Sequence, residues 1–118
     1  MSESRGLALL TVHNIDLVAD VARRATAFIQ ENLPGTVVWE YFVDEESGRG
    51  LLYQIHAGDD ALRAYEQAMV DQGFQRELGE YAQLDEIIML SPITSPEART
   101  ELDQFGGVAM ELVAGVTR

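Results

Sequence analysis

Histidine and tyrosine are the residue types in this chain that could transfer protons or hold a reactive oxygen near neutral pH. The 118 residues include two histidines, His13 and His56, four tyrosines and no cysteine. An imidazole titrates at about pH 6.5 and can act as a general base. A tyrosine hydroxyl, with a pKa of about 10, is a weak base but can hydrogen-bond an oxygen anion. The lack of cysteine excludes a thiolate nucleophile, a disulfide and a sulfur-ligated metal.

Motifs for several other kinds of chemistry are absent from the sequence. It contains no Gly-x-Ser-x-Gly elbow, no phosphate-binding glycine loop and no His-Glu-x-x-His pair. The acidic stretch Asp44-Glu45-Glu46 lacks the spacing of an EF-hand loop, and two histidines are too few for a zinc site without carboxylates. We therefore expect neither a bound metal nor a cofactor.

The charge and hydropathy of the chain restrict its partners. A net charge of -12 with eight basic residues argues against nucleic acid, because binding phosphates needs clustered lysine and arginine. A solvated surface explains the many carboxylates better. No apolar run approaches the roughly 18 residues that cross a bilayer, and Met1 to Arg5 lack the regions of a signal peptide. We expect a cytoplasmic protein without membrane association.

A predicted β-hairpin lies at the centre of the chain. Residues Thr36 to Val43 and Gly50 to Ala57 have the composition of strands, and the polar loop Asp44 to Gly48 joins them. A pattern of apolar residues at helical spacing lies on either side of the hairpin. With a strand before the first helix and another after the second, the order β-α-β-β-α-β predicts an α+β ferredoxin-like sandwich with an antiparallel sheet.

The first strand and the first helix have clear boundaries in the sequence. Gly6 to His13 is apolar on both alternating faces, which predicts a central strand covered on both sides. Asp16 stands where the N-cap of the following helix belongs, and Pro34 stops that helix near Asn32 or Leu33.

The whole chain is predicted to form a single domain with a C-terminal extension. The ferredoxin-like core covers about residues 6–92, and the extension covers about residues 93–118. A capping box of Thr94 and Glu97 predicts a helix in the extension. The segment Val108 to Val113 predicts a short strand after it.

The predicted topology separates the two histidines. In a ferredoxin-like sheet the third strand lies between the first and the second and runs antiparallel to the first. His13 ends the first strand and His56 ends the third. The two imidazoles should therefore lie at opposite ends of the sheet and share no site.

Both faces of the hairpin are apolar, and this predicts a homodimer. In its first strand Val37, Trp39 and Tyr41 fall on one face, whereas Val38 and Phe42 fall on the other. One layer of helices covers only one face of a sheet. We expect a second copy of the same sheet to cover the other face.

Four short motifs of the core match the pattern of a known family. They are Pro34-Gly35, Val38-Trp39-Glu40, Leu51-Leu52-Tyr53-Gln54 and Asp60-Ala61-Leu62-Arg63-Ala64-Tyr65. Together they resemble the antibiotic biosynthesis monooxygenase family of dimeric α/β barrels, over roughly Leu7 to Pro92. The resemblance implies an apolar pocket between sheet and helices. In some members such a pocket holds a phenol, quinol or anthrone that is oxygenated without metal or flavin, while other relatives catalyse different reactions or have no established activity.

The chain departs from the family pattern at positions used for proton transfer. Tyr65 stands where many members have a histidine, Gln54 where a glutamate is common, and His56 where a tryptophan or tyrosine is frequent. His56 could act as the base, and Tyr65 could hydrogen-bond a phenolate or peroxide oxygen. The resemblance also implies that Asn14 offers its side-chain amide to substrate or oxygen. The residues expected to shape the pocket are Trp39, Tyr41 and Phe74.

Each of these residues also has a purely structural interpretation. His56 could hydrogen-bond a backbone group at a strand end, and Asn14 could satisfy the turn before a helix. The aromatic residues could fill the core or an interface. Two functions follow from the resemblance: a cofactor-independent monooxygenase of an electron-rich aromatic, and a non-catalytic barrel that binds a small apolar molecule or supports assembly.

Overall fold

A computed structural model of the protein describes residues 3–93 and 95–118. The described residues form a single five-stranded sheet with four helices. In chain order the elements are β1 (Ser4–Val12), α1 (Ile15–Asn32), β2 (Thr36–Val43), β3 (Arg49–His56), α2 (Asp59–Asp71), α3 (Phe74–Tyr81), β4 (Ala82–Met89), α4 (Pro96–Gln104) and β5 (Val108–Ala109).

The sheet has the strand order β2-β3-β1-β4-β5. β3 pairs antiparallel with both β1 and β2, and β4 pairs antiparallel with β1. This confirms the predicted ferredoxin-like core, with the third strand between the first two. β5 pairs parallel with β4, so the complete sheet is mixed. β5 consists of Val108–Ala109 alone and is shorter than the predicted strand, which extended to Val113.

The register of β1 and β3 confirms that the two histidines lie at opposite ends of the sheet. Ser4, the first residue of β1, pairs with His56, whereas His13 follows Val12 at the other end of β1. A strand of nine residues, at about 3.4 Å per residue, is roughly 27 Å long. His13 and His56 share no site.

The helices lie on one face of the sheet and bury their apolar stripes there. On α1 the buried residues recur at three- and four-residue spacing: Val18, Val21, Ala25 and Ile29. Three of them pack with residues of α2 and α3, namely Tyr65, Met69 and Phe74. Among the described residues no helix combines the length and apolarity needed to cross a membrane.

Asn14, and not Asp16, is the N-cap of α1. Its backbone is extended, with φ -141° and ψ 99°, and its Oδ1 accepts a hydrogen bond from the backbone N–H of Leu17 at 3.1 Å. The prediction of Asp16 as the cap was wrong by two residues. Asp16 lies in the first turn instead, where the helix dipole favours a carboxylate.

Ser95 is the N-cap of α4. Its Oγ accepts a hydrogen bond from the backbone N–H of Ala98 at 3.0 Å, and Pro96 occupies the first turn. The predicted cap Thr94 lies outside the described residues. The tail after α4 is exposed, and the side chain of Val113 is 97% accessible.

A β-bulge in β2 decides which side chains of this strand face the helices. Thr36 and Val38 are opposed by consecutive residues of β3, so Val37 is an extra residue. Its side chain is 59% exposed, and the prediction that it shares a face with Trp39 was wrong. The bulge reverses the alternation at this point, so that Thr36 and Trp39 both face the helices.

The other face of the sheet is apolar and open. The outward-facing apolar residues of the four antiparallel strands are partly or fully exposed; they are Leu7, Leu9, Val38, Phe42, Leu51, Tyr53, Ile55 and Ile88. Phe42 is 53% exposed. Within one chain β1 is therefore covered on a single face, contrary to the expectation of a strand covered on both.

Candidate functional site

A groove between α1 and the edge strand β2 is the candidate site. Its volume is about 430 Å³, and its lining is largely apolar and aromatic. From α1 and from β2 with its following loop come Ile15, Val18, Ala19, Ala22, Arg23, Thr26, Trp39, Tyr41, Val43 and Glu45. The volume lies within the range of small-molecule sites, about 300–1,000 Å³.

Small side chains on α1 leave the space that the groove occupies. Ala19 and Ala22 lie on the stripe of α1 that faces β2, opposite Trp39 and Tyr41. An alanine ends at its Cβ, so helix and strand enclose a gap that longer side chains would fill. Because β2 is the outermost strand of the sheet, the groove lies along the sheet edge.

The indole of Trp39 is fixed by Tyr65. Trp39 Nε1 donates a hydrogen bond to the Tyr65 hydroxyl oxygen at 2.8 Å. The ring of Tyr65 is buried among the residues of α1 and α2, and this burial raises the pKa of its hydroxyl to about 12. Tyr65 is therefore protonated at neutral pH and acts as a hydrogen-bonding group.

His56 lies behind Tyr65 in a buried polar cluster. The centroids of the two rings are 4.7 Å apart. His56 Nδ1 is 3.0 Å from the Thr36 hydroxyl, and Nε2 is 2.7 Å from Gln54 Oε1. The amide oxygen can only accept, which places the proton on Nε2 and leaves Nδ1 to accept from Thr36.

The imidazole of His56 is neutral at physiological pH. Its side chain is 1% exposed, and desolvation lowers its pKa to about 4. Both ring nitrogens are occupied within the cluster. In this arrangement His56 packs behind the Tyr65 ring. His56 is not part of the groove lining.

The hydroxyl of Tyr41 has no hydrogen-bond partner among the described residues, although its oxygen is buried. Burial also raises the pKa of this hydroxyl. Leaving a buried polar group unpaired costs about 1–3 kcal/mol. Tyr41 lines the groove, but its oxygen is closed to solvent, so a polar atom of a ligand would pair with it only once the side chain turns towards the groove.

Asn14 and Phe74 lie outside the groove. Asn14 caps α1 and lines an open depression with His13 and the acidic loop after β2, which adjoins the groove at Ile15 and Glu45. Phe74 packs edge-to-face on Phe28, with ring centroids 6.0 Å apart, inside the helix-covered core. The structure thus brings together Trp39, Tyr65 and His56, places Tyr41 in the groove beside Trp39, and leaves Asn14 and Phe74 elsewhere.

Two contributors to the site were missed from the sequence. Thr36 was not expected at the site, because regular alternation along the strand would put it on the face of Val38 and no local pattern marks the bulge at Val37. Arg23 was not assigned to the site: it is exposed, yet it follows Ile15 and Ala19 at four-residue spacing and lines the groove with them. That spacing was the signal available in the sequence.

Comparison with known proteins relates the chain to others through its structure. No protein-family model and no curated protein matches it by sequence. MupZ from Pseudomonas fluorescens superimposes with a TM-score of 0.75 at 12% identity, over 100% of this chain and 96% of MupZ.

Two further solved structures share the core of the fold. SnoaB, a cofactor-independent oxygenase from Streptomyces nogalater, superimposes with a TM-score of 0.65 at 15% identity, over 81% of this chain and 98% of its own. A protein of Caulobacter crescentus assigned as an antibiotic biosynthesis monooxygenase gives a TM-score of 0.65 at 18% identity, over 78% of this chain and 91% of its own. The chain therefore has an antibiotic biosynthesis monooxygenase-like fold, as the sequence resemblance implied.

Proposed function

We propose that this protein is a cofactor-independent monooxygenase that oxygenates an electron-rich aromatic molecule, such as a phenol, quinol or anthrone, in the groove between α1 and β2. The observation that carries the proposal is the pairing in this groove of an apolar, aromatic lining with the buried, unpartnered hydroxyl of Tyr41. The fold shared with SnoaB, a cofactor-independent oxygenase, supports the reaction class.

The apolar lining would bind the aromatic ring, and the polar groups would orient it. Trp39 and Tyr41 have their ring centroids 6.2 Å apart and are inclined by 46°. A planar ligand could pack against them and against the alanines of α1. Its hydroxyl would pair with the Tyr41 hydroxyl and so remove the unpaired polar group.

The reaction needs the substrate as its anion. A protonated tyrosine hydroxyl donates a hydrogen bond to a phenolate oxygen and favours that charged form, so the phenolic proton leaves more readily to water at the sheet edge. The electron-rich anion passes one electron to O₂, and the resulting radical and superoxide combine to a peroxide at carbon. Loss of water from the peroxide leaves a carbonyl, so a phenol and O₂ give a quinone and H₂O.

Tyr65 and His56 have indirect roles in this proposal. Tyr65 fixes the Trp39 indole through the 2.8 Å hydrogen bond, and His56 supports the Tyr65 ring. We propose that both are positioning residues. The sequence-based hypothesis of His56 as the base requires a free ring nitrogen, whereas both nitrogens have partners here.

A non-catalytic binding protein is the second candidate function. The observation that favours it is the low basicity of the polar groups, because the pKa of His56 is about 4 and that of Tyr65 is about 12. Neither group is a good base at neutral pH. In this alternative the groove would bind the same aromatic ligands without turnover.

We also propose that the protein is a cytoplasmic homodimer. The open apolar face of the sheet, which includes Phe42 and Leu51, would be covered by the same face of a second copy. Light scattering should give twice the chain mass of 13.1 kDa. A monomer at all protein concentrations would contradict the dimer.

Oxygen uptake tests the reaction. The metal-free protein would be mixed with a panel of anthrones and hydroquinones, together with Tyr41→Phe, Tyr65→Phe and His56→Ala. Uptake above autoxidation that falls in Tyr41→Phe supports the monooxygenase. Tyr53→Phe is the matched control, because it loses the same hydroxyl from the opposite face of the sheet.

The binding function has a distinct signature. Trp39 is the single tryptophan of the chain and lines the groove. Saturable quenching of its fluorescence without oxygen uptake would favour the binding protein over the enzyme. If no compound gives either quenching or oxygen uptake, both functions are contradicted.

A further inference from the structure

We infer that the groove selects aromatic ligands that carry a carboxylate, and that Arg23 is the residue that determines this specificity. The inference rests on the proposed function, because it names the substrate class of the same groove. It is carried by the position of Arg23, by its lack of an ion-pair partner and by the charges along the groove.

Arg23 belongs to the stripe of α1 that lines the groove. The stripe contains Ile15, Ala19 and Arg23 at four-residue spacing, with Ala22 and Thr26 beside them. Arg23 is the only basic residue in the lining described for the groove. An arginine stem can lie along apolar surface while its guanidinium stays at the rim.

The guanidinium of Arg23 is available to bind an anion, in contrast to the guanidinium of Arg24. Arg24 forms ion pairs with Asp20 at 3.1 Å and with Glu77 at 2.6 Å. Over the part of the chain that the structure describes, Arg23 forms no ion pair and no side-chain hydrogen bond. In a chain of net charge -12, an arginine without an acidic partner beside an apolar groove marks a place where an anion would be favourable.

The groove carries a negative charge at one end, from Glu45, and a positive charge nearer the other end, from Arg23. The tight turn between α1 and β2 makes these elements run in opposite directions, so Ile15 lies near Val43 and Glu45, and Thr26 lies towards Trp39. Glu45 would repel a ligand anion at the one end, whereas Arg23 would attract it nearer the aromatic end. A carboxylate is thereby oriented as well as bound.

Arginine suits a carboxylate better than it suits a phenol hydroxyl. The planar guanidinium offers two parallel N–H groups that match the two carboxylate oxygens. Tyr41 lines the same groove and its hydroxyl has no partner among the described residues, so the site has one group for a ring hydroxyl and one for a carboxylate. The ligand class is therefore a hydroxylated aromatic carboxylate.

Binding calorimetry with two matched probes tests the inference. The probes are 1-hydroxy-2-naphthoate and 1-naphthol, which have the same ring and hydroxyl and differ in the carboxylate. The proteins are the wild type, Arg23→Gln and the control Arg76→Gln. Arg76 is exposed on α3 and outside the groove, so its variant makes the same change in net charge without touching the site.

The wild type should bind the naphthoate about tenfold more tightly than naphthol, and Arg23→Gln should lose that difference while its affinity for naphthol stays the same. Arg76→Gln should retain the difference. If naphthoate and naphthol bind equally, or if the two variants weaken naphthoate binding alike, Arg23 does not select a carboxylate. That result overturns this inference and leaves the proposed function standing, since naphthol still binds. Failure of both probes to bind overturns the inference together with the site on which it rests.

Discussion

The helix layer meets the sheet in two different ways. Towards α2 and α3 the space is filled, because the rings of Phe28 and Phe74 pack edge-to-face and Tyr65 is buried beside them. Towards β2 the space is open, because α1 presents Ala19 and Ala22 to the edge strand. The difference shows that the groove forms where α1 has small side chains, and that the packed aromatic residues on the other side support the Trp39 wall of the groove through Tyr65.

The largest expected effect comes from emptying the filled side. Phe74→Ala removes a side chain that is 8% exposed and should lower the free energy of unfolding by about 3–5 kcal/mol through the cavity it leaves. Phe105→Ala is the control, since Phe105 is 58% exposed and should change stability by less than about 1 kcal/mol. Urea unfolding measures both. Equal losses in the two variants would contradict a filled core around Phe74.

The next largest effect is a pH dependence of stability caused by His56, which packs against Tyr65 on the filled side. The pKa of His56 is about 4 in the folded chain and about 6.5 in the unfolded chain, so the unfolded state binds the proton more tightly. The contribution of this lowered pKa to stability is complete above pH 6.5 and is lost as the pH falls towards 4, up to about 3 kcal/mol.

Unfolding at several pH values measures this term. His56→Gln should flatten the stability curve between pH 4 and 6.5 relative to the wild type, and His13→Gln, at an exposed position, is the control. A slope that persists in His56→Gln would show that other groups cause it.

Filling the open side should remove binding with little effect on folding. Ala22→Leu places a larger side chain in the groove and should weaken aromatic ligands at least tenfold, or about 1.4 kcal/mol. Ala27→Leu is the matched control, because Ala27 is exposed on the same helix. Calorimetric titration with 1-naphthol gives the affinities. Unchanged binding in Ala22→Leu would place the site outside the groove.

The smallest expected effects on stability distinguish the hydroxyl of Tyr65 from the hydroxyl of Tyr41. Tyr65→Phe leaves the Trp39 N–H without its acceptor and should cost about 1 kcal/mol of stability. Tyr41→Phe removes a hydroxyl that has no partner in the described residues and should cost nothing or stabilise by up to about 1 kcal/mol. Thermal and urea unfolding compare the variants. The reverse order would mean that the Tyr41 hydroxyl is satisfied in the free protein.

Periodicity in the sequence predicted the fold because each helix and strand buries one face. The α1 stripe, the hairpin and the strand order all followed from apolar spacing. Spacing alone did not predict the groove, since the gap depends on how far α1 lies from β2. Asn14 was correctly identified as a possible turn residue, whereas Asp16 was predicted as the cap because the apolar helical spacing was taken to begin at Leu17, although α1 begins at Ile15.

The candidate site was predicted in part, residue by residue. Trp39 and Tyr41, which were predicted to shape a pocket, line the groove, and Tyr65 contacts the groove wall through the Trp39 indole. Thr36 joins His56 only because the bulge turns it inward, and alternation along a strand contains no information about an inserted residue.

The bulge at Val37 also determines how relatives of this protein should be aligned. A chain that builds the same groove with a regular β2 would need one residue fewer between the Pro34-Gly35 turn and the position of Trp39. A gap is therefore expected at this point in a structure-based alignment. If residues are counted from the turn without this gap, the residue that points away from the groove is assigned to the groove. At identities of 12% to 18%, such an offset would hide the correspondence between the groove residues of the two chains.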